Sequence, residues 1–149
     1  MAEFRGLHDA TVICTGNQTP RQLSIPGIKS KLVIDSKKFT GWINGSPNDQ
    51  MDLDFAQIKN VLVIGNGNVA LDVTRILVRG YETLRSSDIS SKALSALKKC
   101  SLKNVYIVGR RGPESCSFTS KELRDLKSSN ARFLVEHVPL NLESHCVPR

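Results

Sequence analysis

The sequence has few aromatic residues, no long apolar run and no Cys-x-x-Cys pair. Aromatic residues make up 5% of the 149 positions and do not alternate with lysines and arginines, which disfavours a single-stranded nucleic-acid platform. No apolar run approaches the roughly 20 residues that a membrane-spanning helix needs. The first residues also lack the apolar stretch of a signal peptide, and no targeting segment is visible. We therefore expect neither a membrane span nor a nucleic-acid partner.

The four cysteines are too widely spaced for a zinc site or a dithiol redox centre. They form no group with the three histidines that has the spacing of metal ligands. In a domain of this length such cysteines are usually reduced and partly buried. We expect no metal ligands among them. The residues concerned are Cys14, Cys100, Cys116 and Cys146.

The charge balance is strongly basic. Lys plus Arg is 21 and Asp plus Glu is 14, which gives a net charge of +7. Such a surplus favours an anionic partner, which could be nucleic acid, a phosphate-bearing cofactor, an acidic protein or an anionic membrane surface. Net charge does not choose among these partners, so the choice depends on local motifs. The length fits one domain.

The first third of the chain contains short elements. Residues 10–15 are apolar and end at a Gly-Asn turn, which predicts a short buried strand, and residues 32–34 suggest another short extended piece. Asp35 or Ser36 can cap a helix that runs through Trp42 and stops near Gly45.

The clearest strand covers residues 59–65. Its four consecutive branched apolar residues are typical of a parallel strand buried on both faces. A helix is predicted from Asn68 to about Arg79, with apolar residues at helical spacing and Gly80 as its stop. Strand, glycine turn and helix together form half of a nucleotide-binding unit.

Three further elements complete an α/β order. Ser90 or Ser91 can cap a second helix through Lys99, and a strand follows over 104–109, so a right-handed crossover should join two parallel strands. Thr119 or Ser120 can cap a third helix over 121–127, and 131–138 is predicted as a last strand. We expect a three-layer, Rossmann-like nucleotide-binding domain with a central parallel sheet, the FAD/NAD(P)-binding fold.

The turn after the first strand carries a Gly-x-Gly-x-x-Gly/Ala pattern. Gly65 permits the tight turn, Gly67 lets a pyrophosphate approach the backbone, and Ala70 lets the helix pack close to the strand. Free amide groups at the helix start would then face the phosphates, and Asn68 could cap the helix. The alternative is a glycine turn that only packs strand against helix.

The end of the second strand indicates which nucleotide is bound. An acidic residue there would bind the ribose 2′-hydroxyl of NAD, whereas a 2′-phosphate needs cations, and Arg110 and Arg111 stand directly after Gly109. The alternative is a pair of solvated loop arginines. Arg110 lies 45 positions after Gly65, longer than the usual spacing of roughly 20, because a second helix intervenes.

Three stretches resemble one family. Residues 65–77 read Gly-Asn-Gly-Asn-Val-Ala-Leu-Asp-Val-Thr-Arg-Ile-Leu, residues 108–124 contain Val-Gly-Arg-Arg-Gly-Pro and Phe-Thr-Ser-Lys-Glu-Leu-Arg, and 39–45 read Phe-Thr-Gly-Trp-Ile-Asn-Gly. In this order they are similar to the NADP-binding domain of adrenodoxin reductases and their ferredoxin–NADP reductase relatives. The long insert between the two glycine turns is also a feature of that family.

The resemblance implies a role for the chain in an electron-transfer enzyme. It implies hydride transfer from NADPH to FAD, then single electrons to an acidic [2Fe–2S] ferredoxin, in mitochondria for eukaryotic relatives. Arg124 and Lys127 could belong to a basic face that meets this partner, although a solvated face also explains them. The cofactor-binding positions implied are Gly65, Asn66, Gly67, Asn68, Val69 and Ala70 at the pyrophosphate and nicotinamide side, and Arg110, Arg111 and Glu122 at the 2′-phosphate.

The flavin fingerprint with which family members begin is missing. Residues 1–149 are therefore predicted to be the NADP-binding domain of a larger flavoenzyme, with about 1–30 as the connection from its flavin domain. We expect no catalytic acid, base or nucleophile, and no FAD bound by this chain alone. The alternatives are a non-enzymatic NADP-sensing module or the NADPH domain of another flavoprotein; the thioredoxin reductase type is disfavoured because Cys-x-x-Cys is absent.

Overall fold

A computed structural model describes residues 6–12, 23–110, 116–127, 132 and 134. The chain separates into two compact units, Met1–Asp35 and Ser36–Arg149. The residues of the proposed nucleotide site all belong to the second unit.

The first unit contains turns where the sequence predicted extended chain. The Val33 N–H donates to the Ser30 carbonyl at 3.0 Å, which closes a turn through Leu32. Leu32 and Val33 are exposed, so no sheet neighbour covers them. The extended piece predicted at 32–34 is therefore wrong. Of the strand predicted at 10–15, residues 10–12 are not in a strand and the rest lies outside the described residues.

The second unit confirms the predicted alternation of helices and strands. Residues 131–138, predicted as a last strand, lie outside the described residues except for Arg132 and Leu134, which are not in a strand. The elements described in this unit are α1 (Ser36–Ile43), β1 (Asn60–Ile64), α2 (Asn68–Leu84), α3 (Ser91–Lys98), β2 (Asn104–Val108) and α4 (Ser120–Lys127).

The two strands pair in parallel, as predicted. Asn60 lies opposite Asn104 and Ile64 lies opposite Val108, so both strands end at the same edge of the sheet. The Gly65 N–H continues the ladder by donating to the Val108 carbonyl at 2.8 Å. The two glycine turns therefore start side by side.

The sheet is covered on one face only within the described residues. Helix α2 packs against both strands, and alternate strand residues are half-buried. The residues between them form an open apolar face, each 53% to 57% exposed: Leu62, Ile64, Tyr106 and Val108. The prediction that β1 is buried on both faces is wrong for this part of the chain. A run of branched apolar residues shows that a strand needs cover, but it does not show that nearby sequence supplies that cover.

Helix α2 is the centre of the unit and contacts every other element there. Its buried residues include Leu71, Leu77 and Leu84, and α4 contributes Leu126. At Gly80 the backbone leaves the helical region, with φ 62° and ψ −175°, and the helix then resumes as far as Leu84. Gly80 was predicted to end the helix, and the helical backbone does break there; a second short helical segment, with Leu84 buried, follows the break.

Helices α1 and α3 are joined through a capping serine. The Ser90 hydroxyl accepts from the Ala93 N–H at 3.3 Å, which confirms the predicted cap of α3, and it also donates to the Trp42 carbonyl at 3.0 Å. The Trp42 ring stacks on Phe55 with centroids 5.2 Å apart. This aromatic cluster lies in the core and fixes the α1 end of the unit.

Candidate nucleotide-binding site

The turn between β1 and α2 uses its glycines in different ways. Gly65 has a φ of 127°, a conformation that L side chains rarely adopt, so the backbone itself requires glycine there. Gly67 is extended, with φ −102° and ψ 179°, and a Cβ built on it would meet no atom of the described residues within 4 Å. Neither backbone conformation nor crowding in the described structure explains glycine at 67. Ala70, in contrast, is buried in the first turn of α2.

The start of α2 presents backbone amides at this turn. Leu71 is the first residue to bond back, with its N–H donating to the Gly67 carbonyl at 3.2 Å. The amides of Asn68, Val69 and Ala70 therefore precede the first helical bond. Gly67, at the capping position, has no side chain that could cap these amides, and no acidic residue stands in the first helical turn of α2. The positive end of the helix dipole and these amides suit an anion.

Asn68 does not cap α2 as predicted. It is the first residue of the helix, and the extended Gly67 takes the capping position. The Asn68 side chain instead reaches the other turn, where its Oδ1 accepts from the Thr119 N–H at 2.9 Å. Val69, the next residue, is 55% exposed, so the apolar surface beside the helix start is open.

The turn after β2, called the second turn, begins in contact with the turn between β1 and α2, called the first turn. A Cβ on Gly109 would lie 2.5 Å from Cγ of Asn66, so the Asn66 side chain lies across Gly109. Arg110 follows directly and is exposed. Arg111 lies outside the described residues.

The chain returns to the first turn before α4 begins. The Ser117 N–H donates to the Asn66 carbonyl at 3.3 Å, and Ser117 pairs with Gly67 as neighbouring parallel strands do. Together with the bond from Thr119 to Asn68, these contacts bring 117–119 beside 66–68. We call this set of contacts the inter-turn clamp. The sequence analysis missed Ser117 as part of the site framework, and no motif in the sequence marks it.

Helix α4 carries the remaining predicted residue. Thr119 caps it, its hydroxyl accepting from the Glu122 N–H at 3.3 Å, as the sequence predicted. Glu122 is half-buried, whereas Arg124 and Lys127 are exposed. Arg79 of α2 donates to the Asp125 carbonyl at 3.4 Å, which ties the second half of α4 to α2. The start of α4 is held beside the turn between β1 and α2 by the bond from Thr119 to Asn68.

Other kinds of site find no support in the described part of the chain. No group of three or more His, Cys, Asp or Glu residues there could hold a metal ion. None of the helices described has the length and apolar character needed to cross a membrane. Neither Cys100 nor Cys116 forms a disulfide among the described residues, and both are half-buried.

Comparison with known proteins agrees with the family that the motifs indicate. The mitochondrial NADPH:adrenodoxin oxidoreductase of Arabidopsis thaliana is 39% identical over 85% of this chain, and that of Mus musculus is 41% identical over 83%. The chain is a homologue of adrenodoxin reductases. The NADPH-ferredoxin reductase FprA of Mycobacterium leprae is 42% identical over 84% of this chain. The chain spans only 26%, 25% and 27% of these three relatives, about a quarter of their length. No protein-family model matches the chain.

Solved structures agree with the sequence comparison. Mycobacterium tuberculosis FprA, solved in complex with NADPH, superposes with a TM-score of 0.76 at 40% identity. The match covers 87% of this chain and 28% of that protein. The adrenodoxin reductase homology therefore extends from the sequence motifs to the fold, which is α/β with a parallel pair of strands.

Proposed function

We propose that this chain is the NADP(H)-binding domain of a flavin-dependent reductase that passes electrons from NADPH through FAD to a [2Fe–2S] ferredoxin. The observation that carries the proposal is Gly67, whose missing side chain leaves space at the start of α2 that no described residue fills. The relatives support it, since they are named for NADPH and for adrenodoxin or ferredoxin. A glycine turn that only packs strand on helix would not require this open position.

The first turn would hold the pyrophosphate. The open space above Gly67 lets phosphate oxygens reach the amides of Asn68, Val69 and Ala70, where the helix dipole favours negative charge. Gly65 sets the turn, and Asn66 and Val69 border the same end of the sheet. These residues bind and orient the nucleotide, and none of them acts as acid, base or nucleophile.

The second turn would select NADP over NAD. Arg110 is exposed at the end of β2, and together with Arg111 it supplies guanidinium groups for the 2′-phosphate. Two charged forks suit a dianionic phosphate, and no acidic residue stands at the strand end to receive a ribose hydroxyl instead. Glu122 would join this end from α4 by orienting an arginine.

A third layer would cover the open face of the sheet. Parallel sheets are almost always covered on both faces, yet Leu62, Ile64, Tyr106 and Val108 are more than half exposed. The three-layer Rossmann-like arrangement places further structure against these four side chains.

The electron-transfer chemistry would belong to the whole enzyme. Bound FAD would supply the hydride-accepting chemistry, and this chain would contribute the position of the nicotinamide. The net charge of +7 favours an acidic ferredoxin partner, with Arg124 and Lys127 exposed on α4 as candidate contacts. We propose a mitochondrial location from the relatives named so, although the mycobacterial relatives are equally similar.

The proposal is tested by ligand-dependent thermal unfolding of the chain. A ligand that binds only the folded state stabilises it by about 2.7 kcal/mol at a concentration of 100 Kd. We expect NADP to raise the unfolding temperature most, NAD less, and FAD not at all. Stabilisation by FAD equal to that by NADP would contradict the proposal that this chain binds NADP and does not bind FAD alone. No effect of NADP would contradict the proposed nucleotide site.

A further inference from the structure

The two turns of the proposed site are linked by side-chain and backbone contacts that the nucleotide motifs do not require. Asn66 touches both ends of the loop that carries the arginines. Its side chain lies across Gly109, where the loop begins, and its carbonyl accepts from the Ser117 N–H at 3.3 Å, where the loop ends. Asn66 therefore holds Gly109 and Ser117, which flank this loop, at the first turn.

Asn68 adds the link to α4. Its Oδ1 accepts from the Thr119 N–H at 2.9 Å, across 51 positions of sequence. Thr119 also caps α4 through its hydroxyl, so the same residue joins the helix that carries Glu122 to the start of α2. The Asn68 side chain, at the proposed pyrophosphate end of the site, thus holds the start of α4 at the proposed 2′-phosphate end.

We infer that Asn68 is a positioning residue for nucleotide selectivity: through the Thr119 amide it holds the start of α4, the helix that bears Glu122, and so favours NADP over NAD. This rests on the proposed function. The physical basis is geometric, since guanidinium forks bind a phosphate well only when their donors are aligned. NAD has no 2′-phosphate and loses little when the second turn shifts.

The test compares binding of NADP and NAD to the parent chain and to Asn68→Ala by calorimetric titration. One hydrogen bond contributes a net 0.5–1.5 kcal/mol, so we expect the ratio of NAD to NADP dissociation constants to fall about 2- to 12-fold. The matched control is Asn60→Ala, at the opposite end of the sheet, which loses a 2.9 Å bond from Asn104 Nδ2. Its ratio should stay at the parent value.

A second pair of variants removes the same bond from the other partner. Thr119→Pro deletes the N–H, whereas Thr119→Ala keeps it and loses only the hydroxyl cap. We expect Thr119→Pro to lower the ratio as Asn68→Ala does, with no further fall when the two are combined. Thr119→Ala should keep the parent ratio.

The outcomes separate this inference from the proposed function. A parent chain that binds NADP no better than NAD would overturn both. A parent that prefers NADP, with Asn68→Ala weakening both nucleotides equally or neither, would overturn the positioning role of Asn68 alone. An equal fall in the ratio for Thr119→Ala and Thr119→Pro would also overturn it, because the helix cap rather than the clamp would then be responsible.

Discussion

The two glycine turns at the sheet edge carry glycine for different reasons. At the second turn, a side chain on Gly109 would collide with Asn66, so the fold itself excludes one. At the first turn, Gly65 needs its positive φ, whereas Gly67 has an extended backbone and nothing within 4 Å of a built Cβ. Of the three glycines in these two turns, Gly67 alone has no such reason among the described residues. This difference is the reason that we propose Gly67, between β1 and α2, as the position where the ligand approaches the backbone.

The largest expected effect is the loss of nucleotide binding when a side chain is added at the first turn. Gly67→Val should remove measurable binding of both NADP and NAD, because the branched side chain fills the space proposed for the pyrophosphate. The loss should exceed the roughly 1.5–3 kcal/mol of one charge-assisted hydrogen bond. Calorimetric titration measures the affinity, and circular dichroism checks that the helices remain. Unchanged NADP affinity in a folded Gly67→Val chain would remove the first turn from the site.

The second turn should show a selective loss. Replacing Arg110 and Arg111 together by Ala should weaken NADP binding by about 2–5 kcal/mol, since the two sets of charge-assisted bonds are not fully additive. NAD should lose no more than the stacking on its adenine, about 0.5–2 kcal/mol. Parallel titrations with both nucleotides measure the difference. Equal losses would mean that the arginines only hold the shape of the loop.

Stability should respond more strongly to an added methyl group at the second turn than at the first. Gly109→Ala forces a Cβ to within 2.5 Å of Asn66 Cγ, and such overpacking costs about 1–3 kcal/mol of unfolding free energy. Gly67→Ala is the matched control and should change stability by no more than about 0.5 kcal/mol. Urea unfolding followed by the fluorescence of Trp42, the single tryptophan, measures both. If Gly67→Ala were the more destabilising of the two, the contrast between the turns would be wrong.

The smallest effect concerns salt. Exposed charges are screened at a Debye length of about 10 Å in 0.1 M salt and about 3 Å in 1 M salt. Raising the salt concentration should therefore weaken NADP binding to the parent chain more than to the double arginine variant, by about 1 kcal/mol or less. The measurement is the slope of log Kd against log salt for each chain. Identical slopes would argue against a Coulombic role for the arginines.

Local patterns predicted most of the second unit. The branched run of β1, the serine cap of α3 and the threonine cap of α4 depend on near neighbours in sequence, and each is confirmed. The motif Gly65, Gly67 and Ala70 also falls between strand and helix as predicted. Short-range sterics and capping chemistry are visible in sequence because they act within one turn of the chain.

Long-range partners could not be predicted in the same way. The bond from Thr119 to Asn68 joins residues 51 positions apart, and it changes Asn68 from a predicted cap into a link between turns. The exposure of Leu62 and Ile64 depends on what covers the second face of the sheet, which no local pattern states. Glu122 has no distinguishing local signal, and only the family resemblance marks it as a site residue.

The central claim is that the first turn binds a dinucleotide and the second turn selects the one with a 2′-phosphate. Calorimetric titration of the chain with NADP and NAD under identical salt conditions tests it most directly. We predict a single NADP site per chain, with NADP bound more tightly than NAD by about 2–5 kcal/mol, the range expected for charge-assisted bonds to one phosphate. Equal affinities for the two nucleotides would contradict the account.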